Sequence, residues 1–300
     1  MKPPPLDICT PTAVSEALSL LSEYGTDARL LAGGQSLVPL LNFRLSRPEI
    51  LIDLNRVAGL SFIKGIGDHL EIGAMTRERE IENSELIGEH APLLQEATTY
   101  IAHLPIRSRG TIGGSLANAD PAAEYPAVAL ALDFVFVAQS VRGERKIRAI
   151  EFFEDILTTT LQPDEILTKI IVPKIPNNSG TAFVEIARRH GDFALAGAAA
   201  QISFKNHHPY EARLSVCGAG PTAIRLLAAE KIILRDGVSQ NSIKAAAAAA
   251  SAAADPMADP HASTSYRRRL IGVVVSRAIA RAAERAGENR WPPHAQSHSP

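Results

Sequence analysis

Apolar positions first fall at helical spacing at Val14, Leu18 and Leu21, with Ala17 and Leu20 beside them. Thr10 followed by Pro11 is a helix-start signal and Gly25 a stop, so the pattern predicts a helix between them. Arg29-Leu30-Leu31-Ala32 is a short apolar run, read as a strand that opens directly onto Gly33-Gly34-Gln35-Ser36. A helical stretch over 37–45 and a buried strand at Ile50-Leu51-Ile52-Asp53-Leu54 complete a small α/β unit over residues 1–57.

The pattern then changes. Phe62-Ile63-Lys64 and His69-Leu70-Glu71-Ile72 flank Gly65-Ile66-Gly67-Asp68, a hairpin signature. A helical stretch over 77–102 is expected to end near Pro105, ahead of a second glycine turn at Thr111-Ile112-Gly113-Gly114-Ser115. Strands are predicted at 134–138 and 165–172. Pro173, Pro176, Asn177, Asn178, Ser179 and Gly180 then mark a boundary, which makes 58–176 a second unit. The third, 177–288, reads as strands over 181–204 and 211–217 around Gly191-Asp192, followed by mostly helical sequence over 222–254. A last helix from Tyr266 carries Ile271, Val274, Val275, Ala278, Ile279 and Ala282 on one face. Arg277, Arg281 and Arg285 line another face, expected to be solvated. The tail, 289–300, is expected to be loosely ordered.

Composition narrows the function. Lys+Arg is 31 and Asp+Glu is 32, a net charge of −1, without the basic excess of a nucleic-acid binder. Cys9 and Cys217 are the 2 cysteines, too few for an iron–sulfur cluster or a CxxC zinc site on this chain. No apolar run approaches the ~20 residues of a membrane span. The start, Met1-Lys2-Pro3-Pro4-Pro5, has no apolar stretch behind it, so a cytoplasmic protein is expected.

The candidate chemistry lies in the two glycine pairs. Paired glycines let the backbone approach a ligand and turn its N–H groups inward, and a following hydroxyl adds a donor. Either pair alone is accounted for by a tight turn. Two of them, each leading into a helix, point to phosphate held from both sides. A rival stands at Cys217-Gly218-Ala219-Gly220-Pro221-Thr222-Ala223, a G-x-G-x-x-A run after a strand, with Ile232-Ile233-Leu234-Arg235-Asp236 as a possible next strand and acid. Its spacing is short of the ~30 residues of a βαβ unit, which favours a structural turn. No nucleophile constellation stands out. Arg188-Arg189-His190-Gly191-Asp192-Phe193 is either a charged hairpin end or a cofactor-site wall.

Four segments carry a family resemblance: LAGGQSLVPLLNFRL (31–45), TIGGSLANADPAAEYPAVALAL (111–132), RRHGDFALAGAAA (188–200) and DPMADPHASTSYRRRLIGVVVSRAI (255–279). In this order they resemble the FAD-binding medium subunit of molybdenum hydroxylases, the carbon monoxide dehydrogenase and xanthine dehydrogenase relatives. The resemblance implies an α+β protein. Two subdomains would form the FAD-binding fold of the vanillyl-alcohol-oxidase (PCMH) type, and a C-terminal domain of small antiparallel sheet plus helices would follow. By position, Ala32, Gly33, Gly34, Gln35, Ser36, Thr111, Ile112, Gly113, Gly114 and Ser115 would contact the FAD. Relatives commonly have Asn where Ser115 stands. Glu124 and, more weakly, Asp120 would reach the cofactor, Ile101 and Leu167 would pack on it, and Asp192 and Phe193 would lie near the flavin ring.

The resemblance also implies partners: a large molybdenum–pterin subunit and a small [2Fe-2S] subunit, arranged as a dimer of heterotrimers. Substrate would be oxidised on the large subunit, and FAD here would be the electron exit, so no catalytic residue is expected in this chain. A stand-alone flavin oxidoreductase and a flavin-less assembly subunit are the alternatives. Some relatives carry tyrosine where Phe193 stands. A ring there would stack on the flavin and obstruct a nicotinamide, which points to a quinone, a small carrier or oxygen as acceptor.

Overall fold

The computed structural model describes residues 2–287. The first sheet is parallel, ordered β1-β3-β2 from β1 (Asp7–Cys9), β2 (Ala28–Leu31) and β3 (Ile50–Asp53). Helix α1 (Val14–Tyr24) buries Ala17, Leu18 and Leu21 in the core beneath it. It begins later than the Thr10-Pro11 signal: Ala13 stands at the cap, and the Glu16 carboxylate reaches back to the Thr12 N–H at 2.8 Å. Gly25 closes it at φ +51°, as expected. Helix α2 (Leu37–Asn42) follows the first glycine pair.

The second sheet is antiparallel, β4-β5-β10-β6-β7. The hairpin of β4 (Ile63–Ile66) and β5 (His69–Gly73) falls where the pattern placed it. The helical stretch after it is broken into α3 (Glu78–Asn83), α4 (Glu85–His90) and α5 (Pro92–Thr98). Ser84 caps α4 by accepting from the Ile87 N–H, and Pro92 opens α5. Pro105 likewise opens a short helix, α6 (Leu104–Arg107), instead of ending one. Helices α7 (Ile112–Asn118) and α8 (Glu124–Ala131) precede β6 (Val135–Ser140) and β7 (Gly143–Arg148), then the small hairpin β8 (Phe153–Asp155) and β9 (Thr158–Thr159), and β10 (Ile166–Pro173). Every residue of α8 is buried, as its all-round apolar sequence requires.

The third sheet, β11 (Ser179–Ile186), β12 (Ala196–Lys205), β13 (His208–Cys217) and β14 (Ile224–Arg225), is antiparallel throughout. Helices α9 (Leu227–Asp236), α10 (Gln240–Ala253) and α11 (Thr264–Arg285) follow. Ile232 to Asp236 are therefore helical, no parallel strand follows β13 among the described residues, and the dinucleotide reading of Gly218-Ala219-Gly220 is excluded. Gly218 is needed for structure, since its φ is +70° and its N–H donates to the Pro121 carbonyl at 2.8 Å. Helix α11 lays Ile271, Val274, Val275, Ala278, Ile279 and Ala282 into the core. Arg277, Arg281 and Arg285 are exposed, as expected, but two of them also meet a partner: Arg281 approaches Glu96 at 3.9 Å. Arg285 makes two bonds to Glu96 of α5, at 2.7 and 3.0 Å, and a third to the Thr181 carbonyl. No helix among the described residues is long and apolar enough to cross a membrane. The tail at 289–300 lies outside the described residues.

Candidate functional site

The two glycine segments meet. The first leaves β2 through Ala32 and enters α2 through Ser36. Gly34 has φ +74°, a region that strains any side chain. Gly33 is needed for space: a Cβ there would lie 2.4 Å from the Arg109 carbonyl oxygen and 2.8 Å from the Gly110 Cα. Among the described residues, the N–H groups of Gly33, Gly34, Gln35 and Ser36 donate to no protein acceptor.

The second segment is not a turn. Thr111 is the N-cap of α7, its side chain accepting from the Gly114 N–H at 3.2 Å, and both glycines sit in the first helical turn. Neither has a positive φ. Glycine is demanded there by close approach: a Cβ on Gly113 would lie 2.5 Å from the Ala74 Cβ, and one on Gly114 would lie 2.7 Å from Thr111 Oγ1. The Gly113 N–H donates to the Ala74 carbonyl at 2.9 Å and is not open to a ligand.

These segments wall a cleft of about 600 Å³. All the expected site residues line it except Ile112, which is fully buried in the core because the first turn of α7 points it inward. Its apolar walls include Leu21, Leu30, Leu54, Ile101 and Leu167. Asp120 lines it while accepting from the Ala122 N–H, and Glu124 opens α8 with its side chain 7% exposed. Burial raises the Glu124 carboxyl to about 7. Asp192 and Phe193 come from the loop between β11 and β12. There Gly191, at φ +84°, packs on His103, and Arg188 approaches Asp192 at 3.5 Å. Phe193 is 71% exposed, so it does not serve as a core residue.

The sequence reading missed Glu78. It lines the cleft at 5% exposure, and burial lifts its carboxyl to about 8, with the neighbouring Glu124 adding to the rise. Its sequence context, Arg77-Glu78-Arg79-Glu80, reads as a solvated helix start, and nothing local marks it out. Ala74, Met75, Leu157 and Ile166 also line the cleft unforeseen.

The arrangement suits FAD. Open backbone N–H groups beside glycines that admit close approach fit a pyrophosphate, and the apolar walls fit flat ring systems. No grouping of His, Cys, Asp and Glu among the described residues could hold a metal ion.

Comparison with known proteins agrees. Residues 4–175 match the FAD binding domain in molybdopterin dehydrogenase, and residues 181–282 match the CO dehydrogenase flavoprotein C-terminal domain. The chain is 46% identical over 287 residues to the 6-hydroxypseudooxynicotine dehydrogenase complex subunit alpha of Paenarthrobacter nicotinovorans, covering 95% of this chain and 97% of that one. It is 42% identical over 286 residues to the caffeine dehydrogenase subunit beta of a Pseudomonas species, again covering 95% and 97%. A carbon monoxide dehydrogenase structure from Hydrogenophaga pseudoflava superposes with a TM-score of 0.94 at 36% identity, over 95% of this chain and 99% of that one.

Proposed function

Because the chain belongs to the family of FAD-binding medium subunits of molybdenum hydroxylases, we propose that its cleft holds FAD as the electron exit of a three-subunit complex. Electrons would arrive from the [2Fe-2S] clusters of a small subunit, after substrate oxidation on a large molybdenum–pterin subunit. The assembly would be a dimer of such heterotrimers in the cytoplasm. Bound FAD supplies the exchange between one-electron and two-electron carriers; the protein binds, orients and tunes it.

In this reading the open N–H groups of Gly33 to Ser36 hold the pyrophosphate, and the start of α7, whose N–H groups at 112–115 are bonded within the protein, lies close against it through Gly114. Asp192 and Phe193 stand beside the flavin ring. Residues 1–57 and 58–176 form the two halves of the FAD-binding region, and 177–288 buttresses the second half. The observation that carries the proposal is the convergence of two segments about 80 residues apart in sequence, Gly33 seated on the Arg109-Gly110 backbone, in one apolar-walled cleft.

Purification of the native complex tests it. Molybdenum and iron should co-purify with a flavin-coloured chain. A yellow chain free of both metals would mean a stand-alone flavoenzyme, and a colourless one an assembly subunit.

A further inference from the structure

Glu78 is unusual among the groups lining the cleft. It opens α3 with its N–H donating to the Gly110 carbonyl at 3.0 Å, so its side chain is held under the point where the two glycine segments touch. A Cβ on Gly110 would lie 2.3 Å from Glu78 Oε2. That oxygen is buried and has no hydrogen-bond partner among the described residues. The cation facing it, Arg107 of α6, is already committed. Its guanidinium makes bonds of 2.9 and 3.1 Å to Glu82 and a further bond to the Ile101 carbonyl. From α8, Glu124 and the buried Tyr125 phenol face the same space and supply no positive charge.

A carboxylate in this position, beside a phosphate-binding backbone, would repel the anion the backbone attracts. A neutral carboxylic acid would not, and it carries a proton that can be donated. We infer that the cleft binds its pyrophosphate cofactor together with a proton held on Glu78, so that FAD affinity is proton-linked. The inference rests on the reading that the pyrophosphate lies in the glycine clasp.

The sign follows from linkage. Without ligand the Glu78 carboxyl titrates at about 8, and a nearby anion raises that value further. Below about pH 8 Glu78 is already neutral and contributes no slope; Glu124, at about 7 in the same cleft, contributes from about pH 7 in the parent and in a Glu78 variant alike. Above about pH 8, binding must draw a proton from solvent, and affinity falls by up to about tenfold per pH unit. Glu185, a half-buried acid also lifted to about 8, sits on β11 and does not line the cleft.

The test uses the full chain isolated with its FAD, diluted between pH 6 and 9.5, with released FAD followed by its fluorescence. The dissociation constant of the parent divided by that of Glu78→Gln should be constant to about pH 8 and then rise. Glu78→Gln, which keeps the shape and a donor, should bind at pH 9.5 at least about tenfold more tightly than the parent. Infrared spectra of the FAD-bound parent at pH 8 should show a protonated carboxyl stretch that Glu78→Gln removes. A ratio that stays flat to pH 9.5 would overturn the inference. Full FAD retention in Gly114→Val would instead strike the clasp reading beneath it.

Discussion

Gly114 faces the cleft from the first turn of α7, and a side chain there would meet Thr111 Oγ1 at 2.7 Å and the Ala32 Cβ at 3.5 Å. Gly114→Val should fold but lose at least about tenfold in FAD affinity, on the order of 1.4 kcal/mol. The ratio of flavin to protein absorbance in the purified variant measures this, and normal occupancy would count against the clasp. Gly113 is not equivalent, because its missing side chain is needed for packing on Ala74. The four glycines that line the cleft were legible in the sequence as a group. Their separate reasons were not: φ at Gly34 and close approach at Gly33, Gly113 and Gly114 are properties of where the neighbouring backbone passes. Ile112 was misplaced for a related reason. Membership in a motif does not say which way a helical residue points.

At the scale of elements, α11 and α5 are joined through Glu96. Its carboxylate binds Arg285 and also accepts from the Phe183 N–H at 3.0 Å. Glu96→Ala strands that N–H next to the core and should cost about 2 kcal/mol. Arg285→Ala removes a half-exposed partner and should cost about 1 kcal/mol or less. Chemical denaturation of the pair checks the order; equal losses would contradict it. The turn after β13 permits a second comparison. Gly220 has no positive φ, and a Cβ there would find only the Asp255 carbonyl oxygen, at 3.6 Å. Gly220→Ala should leave FAD content unchanged and stability within about 0.5 kcal/mol. Gly218→Ala, at φ +70° and 2.8 Å from the Leu195 carbonyl oxygen, should cost about 1–3 kcal/mol. Loss of FAD from a stable Gly220→Ala would contradict the purely structural role of this turn.

For the whole molecule, the exposed Phe193 ring lines the cleft, and its expected place beside the flavin can be tested through the electron acceptor. If it covers the flavin, the parent complex should be reoxidised quickly by oxygen or a quinone and slowly by NAD⁺. Phe193→Ala should then raise the NAD⁺ rate by about tenfold or more. Stopped-flow reoxidation decides, and fast NAD⁺ turnover in the parent would refute gating. By itself the sequence determined the two glycine segments, the β4–β5 hairpin and the amphipathic α11. Its resemblance to the FAD-binding medium subunits also pointed to FAD. The local features depend on residue type and local spacing. Only the tertiary structure decided that α7 begins at Thr111, that Ile232 to Asp236 are helical, that Arg285 is paired, and that Glu78 is buried under Gly110. In each case the deciding neighbour comes from a distant part of the chain or from packing that spacing does not encode: Ala74 and Thr76 against α7, Glu96 against α11, Gly110 over Glu78. A charged residue in a charged run reads as solvated until another segment is laid over it.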